Sequence, residues 1–231
     1  MIKKKRLVLA ICCISLLTAC NSNTGSTNLT ISEYEKSISQ NNIQLLDVRT
    51  NEEYQSGHLG HALLADWNNQ EEFKTRVAAL DKNKPLYTYC LSGARSEMAT
   101  EWLRKNGFTA FNLAGGLNAW KRAGKQLEEA AIARQITLAE YLVQIPTNKT
   151  VLVDFSAVWC PPCKAMAPVI DSLIATHGTK FDLVKIDGGQ QTAICGELNV
   201  TTFPTFIMYR QGKEIWRKEG PVDAKEFIMN F

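Results

Sequence analysis

The stretch "VDFSAVWCPPCKAMAP", residues 153–168, decides the fold of the second half of the chain. The apolar run "VLVDFSA" predicts a buried strand, and the periodic pattern from Cys160 to about Thr176 predicts an amphipathic helix. Cys160 then stands at a helix N-terminus, where the helix dipole and the unpaired amides favour the thiolate over the thiol. Cys163 follows one turn later, near enough to close a small disulfide with Cys160.

This pair of cysteines predicts a site of thiol-disulfide exchange, in which the outer sulfur attacks and the inner, partly buried sulfur resolves the mixed disulfide. Pro161 falls at the first helical position, where a missing N–H costs little, and the Cys163 amide stays free to donate to the Cys160 sulfur. A zinc site would need a second close pair of ligands, which Cys195 alone does not supply. A purely structural disulfide is the alternative, and Cys195 is either a packing residue or a third redox thiol.

Short apolar runs of strand length alternate with helical patterns along both halves of the chain. Such alternation predicts an α/β fold with a mostly parallel sheet that helices cover on both faces. The predicted strands are "IQLLDV", "HALLAD", "LYTYC" and "AFNLA" in the first half, and "VLVDFSA", "FDLVKID", "TFPTFIMYR" and "KEIWRKEG" in the second. Gln211 and Gly212 predict a tight turn between the last two strands. A length of 231 residues suits two domains.

The first twenty residues, "MIKKKRLVLAICCISLLTAC", combine a basic patch, an apolar run and small residues before Cys20. This pattern predicts a secretory signal over residues 1–19, and "LTAC" resembles a bacterial lipobox, which implies lipidation of Cys20. An ordinary signal peptide cut nearby is the alternative. We expect residues 20–28 to be a flexible tether, 29–127 the first domain, 128–136 a linker of helix-forming composition and 137–231 the second domain.

Removal of the signal takes four of the 26 basic groups, so the formal net charge changes from +3 to −1. No basic patch then argues for a nucleic-acid partner. The cysteines beyond Cys20 remain in a compartment where disulfides persist. They are too few to staple a chain of this length, so we expect chemistry from them: Cys90, Cys160, Cys163 and Cys195.

A second reactive thiol is predicted at Cys90, which ends the strand "PLYTYC" before a helix that we expect to begin near Ser96. The intervening loop contains no proline, so its amides can point inward around an anion, and Gly93 permits the tight curvature. Such a nest at a helix N-terminus stabilises a thiolate. Arg95 either adds positive charge at the loop mouth or braces the loop through carbonyls. The alternative for Cys90 is a small buried packing residue. The predicted anion loop consists of Leu91, Ser92, Gly93, Ala94 and Arg95.

Three motifs between about Leu29 and Leu127 resemble those of the rhodanese family of sulfurtransferases. "LLDVRTNEEYQSGHLGHA" is similar to the family's opening signature, "CLSGAR" to its active-site loop and "LAGGLNAW" to its closing Gly-Gly and tryptophan. The resemblance implies that Cys90 accepts a sulfane sulfur as a persulfide and passes it to a second nucleophile. It also implies that Asp47 and Arg49 brace this active-site loop and do not react. Glu53 and His58 are in the family's usual positions, with His58 as a further supporting residue.

The length of the Cys90 loop and two departures from the rhodanese pattern bear on the substrate. The loop is one residue shorter than that of the related phosphatases, which disfavours a phosphate ester or arsenate. Leu91 stands where the rhodanese family often has a basic residue, and His61 stands where it commonly has glycine. The pair His58 and His61 lacks a third metal ligand of suitable spacing, so loop bracing is the better interpretation than a metal site.

Residues from about Thr137 to Phe231 strongly resemble thioredoxin, on the motifs "VDFSAVWCPPCKAMAP" and "TTFPTF". The resemblance implies a thioredoxin fold with a mixed central sheet, with Cys160 as the attacking thiol and Cys163 as the resolving thiol. Asp154, below the pair, would accept the Cys163 proton, and Lys185 is placed to pair with that carboxylate. The implied substrate groove contains Trp159, Thr202, Phe203 and Pro204, the last in a cis peptide bond.

The combined prediction is a lipid-anchored thiol-disulfide oxidoreductase and sulfurtransferase of the cell envelope or periplasm, with no metal or other cofactor. Its expected partners are protein disulfide clients, a membrane electron donor, a small sulfane-sulfur donor and the membrane itself, inner or outer. The fusion suggests that Cys160 reduces a Cys90 persulfide, unless a rigid connector leaves two independent activities. The alternative is a disulfide reductase whose first domain is a non-catalytic, partner-binding module.

Overall fold

The computed structural model describes residues 27–129 and 133–231. The predicted signal sequence, Cys20 and most of the predicted tether therefore lie outside the described residues. Among the residues that are described, no helix is both long enough and apolar enough to cross a membrane.

The first domain is built on a five-stranded sheet in which every pairing is parallel. Its strands are β1 (Asn28–Leu29), β2 (Gln44–Asp47), β3 (Leu63–Leu64), β4 (Leu86–Tyr89) and β5 (Ala110–Leu113). Their spatial order is β1-β5-β4-β2-β3, so the short β3 forms one edge. Parallel neighbours require crossover connections, and helices provide them here.

Helices cover both faces of this sheet, as the alternation of patterns predicts. They are α1 (Ile31–Ile38), α2 (Asn51–Gln55), α3 (Gln70–Val77), α4 (Ala94–Lys105) and α5 (Gly116–Arg122). Tyr34, Tyr54 and Trp120, from α1, α2 and α5, pack into one buried cluster. Phe73 and Leu103, from α3 and α4, pack into a second buried cluster. Each face thus buries its own apolar layer, which stabilises the sheet.

The start of the first domain and the start of α4 differ from the prediction. Asn28 lies in β1 opposite Asn112, whose amide also donates to the Thr27 carbonyl at 2.7 Å. The prediction of a tether without structure is therefore wrong for Thr27 and Asn28, because the edge of the sheet supplies their backbone partners. Helix α4 begins at Ala94 and not near Ser96, since Gly93, at φ 96°, turns the chain into the helix earlier.

The second domain has a mixed four-stranded sheet of order β7-β6-β8-β9. Its strands are β6 (Thr150–Ser156), β7 (Asp182–Asp187), β8 (Thr205–Arg210) and β9 (Lys213–Glu219). Strands β6 and β7 are parallel, whereas β8 is antiparallel to both β6 and β9. Gln211 and Gly212 both have positive φ, at 52° and 74°, which confirms the predicted tight turn between β8 and β9.

Four helices flank this second sheet: α6 (Leu138–Val143), α7 (Pro161–His177), α8 (Thr192–Glu197) and α9 (Ala224–Ile228). Tyr141 and Ile194, from α6 and α8, pack on one face. Ile170 and Phe227, from α7 and α9, pack on the other. The fold class predicted from the sequence, two α/β domains with a parallel sheet followed by a mixed sheet, is confirmed.

The predicted linker is attached to a domain on each side of residues 130–132. Glu128 pairs with His58 of the first domain through two backbone hydrogen bonds of 2.8 and 2.9 Å. Gln135 donates to the carbonyl of Gln190 in the second domain at 2.7 Å. Residues 128–129 and 133–136 are not helical. The described parts of the linker therefore do not form the helix that its composition would allow.

Candidate active site

Cys160 and Cys163 form a disulfide at the start of α7. Cys160 is the N-cap residue, and the amide of Cys163 donates to its sulfur at 3.2 Å, which is the contact expected from the sequence. Pro161 and Pro162 occupy the first two helical positions, where an N–H would have no intrahelical partner. The double proline is therefore compatible with a helix that begins at the disulfide.

The two sulfurs are exposed in the opposite order from the prediction. Cys160, the predicted outer thiol, has an exposure of 0%, whereas Cys163 is half-buried. Cys160 lies in the same buried cluster as Tyr54 and Leu64, so the first domain covers it. An open groove of about 580 Å³ lies on the Cys163 side of the disulfide.

Asp154 and Cys163 line this groove together. Burial raises the pKa of its carboxyl to about 6, although the nearby charge of Lys185 acts in the opposite direction. Lys185 occupies the register position opposite Asp154 on the neighbouring strand. Among the described residues, Asp154 Oδ1 has no hydrogen-bond partner. A carboxyl with such a pKa can exchange a proton near neutrality.

The predicted groove residues meet around the disulfide. The Phe203–Pro204 peptide bond is cis, as expected, and the Phe203 carbonyl lies 3.6 Å from Cys160 Sγ. The indole of Trp159 packs edge-on against the Phe203 ring, with 5.8 Å between centroids. The Thr202 carbonyl accepts a hydrogen bond from the Thr205 hydroxyl, which fixes the loop. The structure therefore brings all four residues to one end of the second sheet.

Cys90 lies directly after β4 and is fully buried. Its sulfur accepts hydrogen bonds from the amides of Gly93 and Ser96, at 3.1 and 3.5 Å, and from the Ser96 hydroxyl at 3.3 Å. Ser96 was not among the predicted site residues, and a hydroxyl in the first helical turn after the loop is the signal that could have identified it. Donor groups of Gly93 and Ser96 thus surround this sulfur, and the Ser96 hydroxyl also lies 3.1 Å from the Gly93 carbonyl.

The N-terminus of α5 holds the backbone of this loop. The amides of Leu117 and Asn118 donate to the carbonyls of Cys90 and Leu91, both at 2.9 Å. With their carbonyls bound outside, the loop residues can turn their amides toward the sulfur. The side chain of Leu91 is exposed, and Ser92, Gly93 and Ala94 line a shallow pocket beside the loop.

Arg95 connects the loop to α2 through a carboxylate and not through carbonyls. Both terminal nitrogens of its guanidinium donate to the carboxylate of Glu53, at 2.6 and 2.7 Å. This pair raises the pKa of Arg95 and lowers the pKa of Glu53. The positive charge is therefore largely neutralised within the first domain, and Glu53 is the residue that positions it.

Asp47 and Arg49 support the domain at a different place. Arg49 binds the Asp47 carboxylate at 2.7 Å and the Gly57 carbonyl at 2.8 Å, and both side chains are buried. His58 stacks on the ring of Tyr54, with 3.8 Å between centroids, and its backbone pairs with the linker. These three predicted supporting residues thus hold the loop after α2, and they do not touch the Cys90 sulfur.

Cys90 and Cys160 lie in different buried clusters, on opposite faces of the first sheet. This arrangement does not support the expected reduction of a Cys90 persulfide by Cys160. Cys195 is also buried, and its Sγ lies 3.8 Å from the Gly188 carbonyl. Burial raises the pKa of the Cys195 thiol to about 11, which suits a packing residue better than a redox thiol.

Comparisons with known proteins agree with the division into two domains. The thioredoxin family model matches residues 132–231, and the rhodanese-like domain model matches residues 30–123. A chloroplastic thioredoxin Y of Oryza sativa subsp. japonica is 34% identical over 119 residues, which are 50% of this chain and 70% of that protein. A thioredoxin-like protein of Synechocystis sp. is 35% identical over 99 residues, 42% of this chain and 92% of that protein.

A solved rhodanese-like domain protein from Staphylococcus aureus is 30% identical and covers 45% of this chain and 98% of its own, with a TM-score of 0.39. The thioredoxin matches cover the disulfide at Cys160 and Cys163, and they support activity as a disulfide oxidoreductase. The chain belongs to the thioredoxin family, and a rhodanese-like domain precedes its thioredoxin domain.

Proposed function

We propose that the second domain reduces or exchanges disulfides of client proteins through Cys160, with Cys163 as the resolving thiol. The observation that carries this proposal is the disulfide at the start of α7, with Asp154 and the cis Pro204 lining the groove that also contains Cys163. The Cys160 thiolate attacks a client disulfide and forms a mixed disulfide. Cys163, after losing its proton to Asp154, attacks Cys160 and releases the client as a dithiol.

Reduction of insulin disulfides tests this assignment. The wild-type chain, supplied with a dithiol reductant, is expected to accelerate insulin precipitation. Cys160→Ser should abolish that acceleration, and Cys163→Ser should accumulate a mixed disulfide that mass spectrometry detects. Acceleration that persists in Cys160→Ser would contradict the assignment.

For the first domain we propose sulfur transfer at Cys90. The thiolate takes the outer sulfur of a sulfane donor such as thiosulfate, sulfite leaves, and the resulting persulfide passes its sulfur to an acceptor nucleophile. The three hydrogen-bond donors at Cys90 Sγ support this chemistry. Thiocyanate formation from thiosulfate and cyanide should disappear in Cys90→Ser, and wild-type Cys90 should gain the mass of one sulfur atom.

The competing proposal is that the first domain only binds partners. The complete burial of Cys90 favours it, because an inaccessible sulfur cannot meet a donor without movement of the loop. If Cys90 of the wild-type chain gains no sulfur mass after exposure to thiosulfate, polysulfide or a small persulfide, this alternative is correct.

The location is also a proposal: lipidation at Cys20 would anchor the chain in the cell envelope, where a membrane protein would supply electrons. It is supported by the signal-like residues 1–19 and the lipobox-like "LTAC". Metabolic labelling with a fatty acid should mark the wild-type chain and leave Cys20→Ala unlabelled. Labelling of both would overturn the anchor.

A further inference from the structure

The first domain contacts the second at the residue that precedes the disulfide. The amide of Leu64, in the edge strand β3, donates to the carbonyl of Trp159 at 2.9 Å. The guanidinium of Arg76 lies 4.6 Å above the indole of Trp159, and the ring of Tyr54 lies 6.1 Å from it. Trp159 is left only 3% exposed. An edge strand, one aromatic ring and one cation of the first domain thus enclose Trp159, a residue of the predicted substrate groove.

A second contact fixes the same face. The amide group of Gln55, at the end of α2, donates to the carbonyl of Gly189 at 3.0 Å. Gly189 lies against Trp159, since a Cβ at this glycine would approach the indole nitrogen to 2.8 Å. Gln55 and Leu64 therefore bind two segments of the second domain that border the same tryptophan.

This contact covers one sulfur and leaves the other open. Cys160, Pro161 and Pro162 are all buried. A cysteine sulfur that attacks protein disulfides must, in contrast, be accessible from solvent. Cys163 faces the groove of about 580 Å³ that also contains Lys164 and Pro204. A small molecule can enter that groove, whereas a protein segment that approaches Cys160 would meet Tyr54 and Leu64 of the first domain.

We propose that the first domain is an intramolecular cap on the thioredoxin site, so that protein disulfides reach Cys160 only when the two domains separate. The edge strand β3 takes the place beside Trp159 that a client strand would otherwise use. The inference rests on the proposed role of Cys160 as the attacking thiol. Residues 129–133 connect Glu128, which is bound to the first domain, with the segment at Gln135, which is bound to the second. The effective concentration of the first domain near the thioredoxin site is therefore high, so that few contacts are enough to dock it there.

Alkylation of the reduced chain tests the cap without any catalytic assay. Gln55→Glu places a carboxylate against the Gly189 carbonyl and near the Asp187 carboxylate, and should weaken docking without touching either cysteine. We expect a bulky maleimide to label Cys160 about tenfold faster in Gln55→Glu than in wild type, and Gln55→Ala to fall between them. Iodoacetamide, which is small, should label Cys163 at the same rate in all three.

Gln126→Glu is the matched control, because it makes the same chemical change at an exposed residue of the first domain. It should leave every labelling rate at the wild-type value. Rapid labelling of Cys160 by the bulky reagent in wild type, or equal rates in wild type and both Gln55 variants, would overturn the cap.

Activity measurements separate this inference from the function on which it rests. If both are right, the rate of Gln55→Glu relative to wild type rises more with insulin than with a small aromatic disulfide. If Cys160→Ser still reduces insulin, the proposed function fails while the labelling result stands on its own. If Cys160→Ser is inactive and Gln55→Glu matches wild type on both substrates, the function holds and the cap is refuted.

Discussion

Glu53 and Arg95 join α2 to the Cys90 loop through two parallel hydrogen bonds of 2.6 and 2.7 Å. A bidentate pair of this kind fixes the orientation of both side chains as well as their distance. The next residue in the chain, Tyr54, packs against Trp159 of the second domain. One short helix therefore contacts both candidate sites, although the two reactive sulfurs lie in separate clusters.

Replacement of this carboxylate should loosen the loop. We expect Glu53→Gln to lower the free energy of unfolding by about 1 kcal/mol at low salt, because both partners are partly exposed, and by less in 1 M salt. The rate of persulfide formation at Cys90 should fall by about tenfold, since small displacements of a catalytic loop are costly. Urea denaturation at two salt concentrations and mass spectrometry measure these effects.

The pH dependence of the same pair has a definite sign. Arg95 lowers the pKa of Glu53 below its ordinary 4.5. The stabilisation is therefore complete above about pH 4.5 and is lost as the pH falls through the lowered value. Glu52→Gln, on the exposed side of α2, is the control and should change neither stability nor rate. Equal effects of the two substitutions would contradict the role of Glu53.

Asp154→Asn should make the protein more stable and less active. Burial raises the pKa of Asp154 from 3.8 to about 6, so its ionisation destabilises the fold as the pH rises through 6. A shift of about two units corresponds to at most about 3 kcal/mol. We expect the variant to gain up to that amount at pH 8 and to match wild type below about pH 3.8, in chemical denaturation at both values.

The loss of activity in Asp154→Asn follows from the same group. Without the carboxylate, the Cys163 proton has no adjacent acceptor, and insulin reduction should slow by about tenfold to a hundredfold. The wild-type rate should rise through about pH 6, whereas the variant should lack that inflection. A stabilised variant with an unchanged pH profile would show that Asp154 is not the proton acceptor.

Arg49→Met tests the buried pair at the end of β2. It leaves the carboxylate of Asp47 buried without its cationic partner, which typically costs 3 to 5 kcal/mol. Lys149→Met removes an ion pair of nearly the same length, 2.8 Å, from the exposed surface and should cost at most about 1 kcal/mol. Thermal and urea unfolding measure the loss of stability in each variant. Similar losses would show that the buried Asp47 carboxylate does not need Arg49 as its cationic partner.

Local patterns predicted most of the fold and the position of each sulfur. The strand β6, the helix α7 and the amide contact within the disulfide follow from periodicity and from the geometry of a helix start. The burial of Cys160 could not be predicted, because it depends on Leu64 and Tyr54, which lie in another domain and carry no periodic relation to it. Glu53 and Arg95 are likewise 42 positions apart, and only the fold brings them together.

Gly93→Ala should disable the Cys90 loop. Gly93 has a φ of 96°, and an added Cβ would lie 2.9 Å from the backbone nitrogen of Gly115, which α5 holds in place. The strain of a left-handed conformation, about 1 kcal/mol, therefore adds to a backbone clash that no rotamer relieves. We expect a total loss of about 3 kcal/mol in stability and no detectable persulfide at Cys90.

Gly124→Ala separates these two contributions. Gly124 also has a positive φ, 73°, but its added Cβ would meet nothing within 4 Å among the described residues. Its loss should be limited to the conformational strain, about 1 kcal/mol, with persulfide formation unchanged. The difference between the two variants in urea denaturation then measures the close approach of Gly93 to Gly115. Equal losses, or an active Gly93→Ala, would mean that the loop does not need this approach to hold the sulfur.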